Sequence, residues 1–570
     1  MIMLLCHRLS RLAPRIVVPF VLLFALSAQS ATQAAMDANA TLVSAETALQ
    51  RGDCGAASTL YAHASQQLAQ IELAARATAV ALACGQYAVA KTSAAQWLQL
   101  APGDLQATLA LTRAELSSDQ IAVARAHYQT LLATAGAKIP ETIDALAQGA
   151  GSEPTLAMLR ELDDKRLHGA EAQLTLAALA LDGWDAKLAL RYVQSARAAG
   201  ASTVKAAAIA ARAHAILGDS KSALSEAHTA ATDKAGRLTL AQSLLALGQD
   251  DAALAELQRL RTDPESGAGA ARLLAQVAME NGDYAVAEQR CNAMLQEAGS
   301  APLAVYYLGV IAERRGDDYA ASRDYALLTG TGFEPQGRRR AAGILYRQGE
   351  RDAAVRILNA ARDAEPDERI RSELAAAELL SVSGAADEAV SRIDSALRRA
   401  PGNPEIAYQR AVLLERAGKI DAAVATLETL HRDRPSDAGI TNALGFTLAD
   451  HKRDLPRAEQ LIRAALVSQP DSPALLDSLG WVLFRRGQVA AASPQLARAY
   501  RLLHDGDIGA HWGEALWAAG QKDAARAAWQ RALSADPDNK LLNATVHRYA
   551  PTITAPKPPP ALEAAPRTSI

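Results

Sequence analysis

The sequence predicts an all-α protein built as a solenoid of stacked helical hairpins. Three observations predict it. Half of the 570 residues are hydrophobic but only 4% are aromatic, and alanine, the strongest helix former, supplies much of the difference. The alternating β-branched runs that mark strands are scarce. One pattern of small residues also recurs: Ala354, Ala389, Ala423, Ala458, Ala492 and Ala525 fall about 34 residues apart.

Taken in chain order, residues 1–35 have the layout of a secretory signal peptide. Arg8, Arg11 and Arg15 precede an apolar run from Ile16 to Ala28, and the small residues of SAQSATQAA follow. Cleavage is expected between Ser30 and Ala35. The run is short for a spanning helix; if retained, it would act as an N-terminal anchor. No cysteine follows it to carry a lipid, and Cys6 lies on the wrong side. The mature chain is expected in the periplasm, associated with the envelope only through an uncleaved signal or through partners.

Residues 36–135 continue the repeat with Ala57, Ala90 and Ala124. Residues 136–170, including PETIDALAQGAGSEPTLAMLRELDDKRL, keep helical apolar spacing but lose the small-residue signature. A degenerate helical pair is expected there, with a change of curvature. Residues 171–550 form the main array, marked by Ala189, Ala223, Ala253, Ala287 and Ala321 before the alanines named above. Turn glycines such as Gly349, Gly384, Gly418, Gly487 and Gly520 come a few residues before the alanines. Pro366, Pro401, Pro435, Pro470 and Pro537 mark the breaks between hairpins. Residues 551–570 are proline-rich with no apolar face and read as a disordered tail.

Gly309, Gly445, Gly480 and Gly513 fall inside predicted helices. Each costs about 1 kcal/mol of helix propensity against alanine. Close approach of the two helices of one hairpin would offset that cost, with Gly480 set against Ala492. A lone hairpin cannot bury its apolar face, so the hairpins must stack.

The period, with Gly513, Gly520, Ala525, Trp529, Ala532 and Pro537 in one copy, resembles the tetratricopeptide repeat. The resemblance implies antiparallel A and B helices in each repeat, a right-handed superhelix, and a concave wall of A helices that binds protein partners. On that scheme Tyr408, Asn442, Phe446, Asp477, Trp481, Glu514 and Trp517 are candidate contacts on the concave face. The alternative for the aromatics is packing between repeats. The basic positions of the family's carboxylate-clamp type do not line up, so recognition of a free C-terminus is not implied.

Residues 441–500, with NALGFTLAD and LLDSLGWVLFRRG, resemble a proteobacterial envelope branch of the family. That branch includes an outer-membrane lipoprotein that partners a carboxyl-terminal processing protease and brings cell-wall hydrolases to it. The resemblance implies a periplasmic adaptor. The missing lipid-attachment cysteine departs from it.

Cys54 begins one B helix and Cys84 ends the next A helix, at one edge of the expected stack. They are either a disulfide or two buried thiols. Cys291 reads as core packing.

The sequence shows no catalytic signature of the common hydrolase, nucleotide-binding or dinucleotide-binding kinds. Its histidines do not cluster at metal spacing, and His504 and His511 are expected to face solvent. No cofactor and no metal are expected. A net charge of −3 with interleaved signs disfavours nucleic acid. Arg338, Arg339 and Arg340, the densest basic run, read as a solvated helix face. The expectation is a non-enzymatic scaffold. The alternative is a structural part of an envelope assembly or polysaccharide-export complex held by the uncleaved anchor.

Overall fold

The computed structural model describes residues 36–553 apart from 134–137, 163, 233, 248, 262, 264–265, 281–282, 296–299, 361–365, 383 and 538. Residues 1–35, expected as a signal peptide, and residues 554–570 of the expected tail lie outside the described residues. Among the described residues every regular element is a helix, and no helix is long and apolar enough to cross a membrane.

Helices follow one another as antiparallel pairs. Pro473–Arg485 and Val489–Leu502 form one such hairpin, joined through Gly487 at φ +77°. That left-handed conformation suits glycine and turns the chain sharply. Aspartate or asparagine opens many helices: Asp53, Asp283, Asn403 and Asp505 each accept a backbone N–H from the first turn. Such caps contribute about 1 kcal/mol each.

The mid-helix glycines are holes for side chains of the partner helix. A Cβ on Gly309 would lie 2.5 Å from Tyr325 Cε1, and one on Gly445 would lie 2.7 Å from Ile462 Cγ1. Gly480 faces Leu496, and Gly513 faces Trp529, in the same way. Ala458, Ala492 and Ala525 are fully buried in the partner helices of Gly445, Gly480 and Gly513, and Ala389 and Ala423 are fully buried in their own hairpins. The hairpin contact thus differs in detail from the pairing of Gly480 with Ala492: the glycine receives Leu496.

The irregular region forms two helices, Ile139–Ala150 and the short Ser152–Arg160. Gly151, at φ +101°, joins them, and a 3-10 turn follows at Lys165–His168.

The array winds back onto itself. Residues in or beside the turns between hairpins of the second half meet the C-terminal ends of A helices in the first half. Arg369 donates to the Gln50 carbonyl (3.2 Å), Asn403 to the Cys84 carbonyl (3.1 Å), and Arg434 to the Ser117 carbonyl. Further along, the Asp471 N–H donates to the Trp184 carbonyl, and Arg501 donates to those of Ala215 and Ile216. Helix C-termini present unsatisfied carbonyls and partial negative charge, so donors and cations fit there. One hydrophobic cluster spans the seam, joining Tyr61, Val80 and Cys84 to Ile393, Ile406 and Leu413.

The register of this seam steps once. Partners are 317 to 319 residues apart up to Ser117 but 285 or 286 apart from Ala186 onward. Glu153 sits at the step and bridges both registers. Its carboxylate accepts from the Ala438 N–H, 285 residues away, and from Ser468 and Gln469, 315 and 316 away. The change is about one repeat. The irregular pair is therefore one extra hairpin in the first half of the seam.

Candidate partner-binding surface

The seven sequence-derived contact residues do not form one continuous track. Asp477 and Trp481 are buried, at 7% and 5% exposure. The next A helix covers them: His511 stacks on Trp481 with ring centroids 4.1 Å apart, and its Nδ1 lies 3.0 Å from Asp477 Oδ1. Trp481 also donates Nε1 to Asp450 (3.0 Å) and carries Arg485 over its ring. These two residues hold repeats together and offer no free contact face, which corrects the expectation for them.

Phe446 is half-buried on the edge of the same cluster, 6.1 Å from the His511 ring. Trp517 belongs to a separate one, against Trp529 and Tyr549, with Lys522 and Arg526 over its face. Glu514 accepts from the Tyr549 hydroxyl (2.9 Å). Tyr408 is half-buried, and burial raises the pKa of its phenol. Asn442 is also half-buried, and its Oδ1 is shielded from solvent with no hydrogen-bond partner. An acceptor left in that state costs free energy that a bound donor would recover.

His511 is buried, in contrast to the solvent-facing position expected; His504 is exposed. The pairing of His511 with Asp477 was missed, although a signal existed: the two lie 34 residues apart, one repeat along the chain. Burial works against the charged imidazole. The carboxylates of Asp477, Asp507 and Asp450 outweigh it and hold the His511 pKa above its ordinary value.

The arginine run is also not a solvated face. Arg338 pairs with Glu334, Arg339 with Glu368 (3.5 Å), and Arg340 with Glu313 (3.1 Å) and the Tyr306 hydroxyl. Two of the three pairs cross between helices and tie neighbouring repeats.

Cys54 and Cys84 form a disulfide, with Cα atoms 5.5 Å apart. Cys291 is fully buried, and burial pushes its thiol up to about 12, well away from a reactive thiolate. Among the described residues, Glu415, Asp450 and His451 bring potential ligand atoms within 4.8 Å of one another. Their own bonds account for that geometry: His451 contacts Glu415 (2.8 Å), and Asp450 accepts from Trp481.

Comparison with known proteins agrees with the repeat pattern. The tetratricopeptide repeat family matches residues 383–444 in one form and residues 238–302 and 444–507 in another. A TPR repeat-containing protein of Pseudomonas aeruginosa, PA4667, is 33% identical over 210 residues, which is 37% of this chain. The chain spans 35% of the length of that curated relative. Among solved structures, the TPR protein TTC0263 of Thermus thermophilus is 24% identical, with a TM-score of 0.29 over 32% of this chain and 97% of its own. A chain of the Cut9–Hcn1 hetero-tetramer is 15% identical, with a TM-score of 0.30 over 83% of this chain and 95% of its own. Repeats of this kind generally mediate binding to protein partners. Residues 238–302 and 383–507 carry tetratricopeptide repeats, within an all-α array of stacked hairpins.

Proposed function

We propose that the protein is a non-enzymatic scaffold of the periplasm that binds partner proteins on its A-helix surface. The run of tetratricopeptide repeats carries this reading. The export-type N-terminus of residues 1–35 and the disulfide between Cys54 and Cys84 support the compartment. Half-buried Tyr408, Asn442, Phe446, Glu514 and Trp517 are the contact candidates that remain once Asp477 and Trp481 are assigned to the core.

The narrower reading is an adaptor that presents cell-wall hydrolases to a processing protease. It rests on the likeness of residues 441–500 to the envelope branch. In-cell crosslinking of the tagged, exported protein, followed by mass spectrometry, tests both. Recovery of a processing protease with wall hydrolases supports the adaptor. Recovery of export or assembly components without that protease removes the adaptor and favours the structural alternative. Recovery of no protein above an untagged control overturns the scaffold.

A further inference from the structure

A cavity of about 930 Å³ lies on the seam, where A helices of the first half face the start of A helices in the second. Arg76, Arg113, Tyr87 and Trp97 line it from the first half, and Arg371 and Glu405 from the second. Three guanidinium groups thus face one carboxylate in this lining. Arg371 already bonds Glu368 (3.1 Å), and Arg76 lies over the Tyr61 ring. Arg113 and Trp97 differ. Nε of Arg113 and Nε1 of Trp97 are both sealed from solvent with no hydrogen-bond partner. Atoms that water cannot reach are closed to a ligand as well, so the cavity is lined by the rest of these two side chains.

Local sequence sets this geometry. Arg113 crosses over Gly149 of the irregular pair, where a Cβ would lie 2.5 Å from Arg113 Nε. Only glycine leaves room for that path. The extra hairpin therefore supplies the floor on which the guanidinium rests. The opposite wall is held by the Asn403–Cys84 contact.

We infer that this cavity is a recognition site for an acidic peptide segment of a partner protein. Among the described residues no carboxylate pairs with Arg113, and guanidinium groups favour carboxylates by charge and by paired hydrogen bonds. The volume falls within the roughly 300–1,000 Å³ typical of ligand sites. The site lies between two turns of the superhelix and draws on non-adjacent repeats. The inference rests on the scaffold reading and names the chemistry of its partner.

Calorimetric titration of the full chain tests it. The probe is a six-residue peptide of alternating glutamate and alanine, acetylated and amidated at its ends. Its glutamine counterpart and succinate are separate arms. The glutamate peptide is expected to bind at least about ten-fold more tightly than the glutamine peptide, and more weakly in high salt. R113Q should weaken binding about five-fold or more with an unchanged melting temperature. G149A, which keeps every charge but displaces Arg113, should weaken it too. If R113Q fails to fold, R76Q, at an exposed rim position, carries the same expectation. Equal affinity for the two peptides, or an unchanged affinity in the arginine variants, overturns the site. Succinate binding as tightly as the glutamate peptide overturns the peptide assignment. Partners recovered by crosslinking despite a failed titration would leave the scaffold standing and remove only this site.

Discussion

Asn403 donates its side-chain amide to the carbonyl oxygen of Cys84, 319 residues earlier in the chain. The same side chain caps its own helix by accepting from the Ile406 N–H (3.0 Å). The two roles can be separated. N403S keeps a capping oxygen, but its shorter hydroxyl does not reach the Cys84 carbonyl. Amide hydrogen exchange should quicken over residues 71–90 and stay unchanged over 473–535. Uniform exchange across both regions would show that the contact does not hold the seam.

Gly480 and Leu496 form a hole and its filling. G480A should overpack the hairpin and cost about 1–3 kcal/mol. L496A should empty it and cost about 2–5 kcal/mol, since Leu496 is fully buried. Denaturant unfolding of the two variants checks the values. The double variant should be less destabilised than the sum, because the added methyl group occupies part of the space the leucine leaves.

The His511–Asp477 pair makes stability depend on pH. The folded imidazole has a raised pKa, so the folded state holds the proton more tightly than the unfolded one. Its contribution is fully present below the ordinary imidazole value of about 6.5 and is lost as pH rises through the higher folded value. Asp450 and Asp507 also face the ring electrostatically, with Arg485 nearby on Trp481. The melting temperature should therefore fall as the solution is taken from pH 6 toward pH 9. H511N should flatten that slope. A wild-type profile as flat as that of H511N would rule the pair out as its source.

Loss of the disulfide should destabilise mainly the first repeats. Cys54 and Cys84 close a loop of 30 residues, which corresponds to about 3–4 kcal/mol on the chain-entropy scale. Limited proteolysis of the C54S/C84S variant should cut first within residues 36–133, with the C-terminal array surviving. Wild-type protein under strong reductant should follow the variant. Equal resistance of the variant and oxidised wild type would contradict the assignment.

The hairpin interior was largely legible in the sequence. Ala389 through Ala525 mark tight contacts, and Gly309, Gly445, Gly480 and Gly513 mark holes, because only small residues fit where helices touch. The seam was not legible. Arg369, Asn403, Arg434 and Arg501 all donate to main-chain carbonyls, and a carbonyl carries no residue identity for a sequence pattern to show. The irregular pair was visible as a gap in the ladder, but its role as an extra hairpin needs the facing strip to be seen. Asp477 and Trp481 were placed on the wall by their position in the repeat. That position does not report that His511 of the following repeat closes over them.

The seam changes what kind of object the array is. In an open solenoid each unit touches only its neighbours, and a defect is felt locally. Here the units around Cys84 and Asn403 are joined, so everything between them lies inside a closed loop. Closing a loop that long costs chain entropy that grows only with the logarithm of its length. A softened hairpin anywhere between residues 84 and 403 should therefore weaken a contact at neither of its own borders. Mechanically the molecule is a coil whose successive turns are fastened at several points, from Arg369 on Gln50 to Arg501 on Ala215.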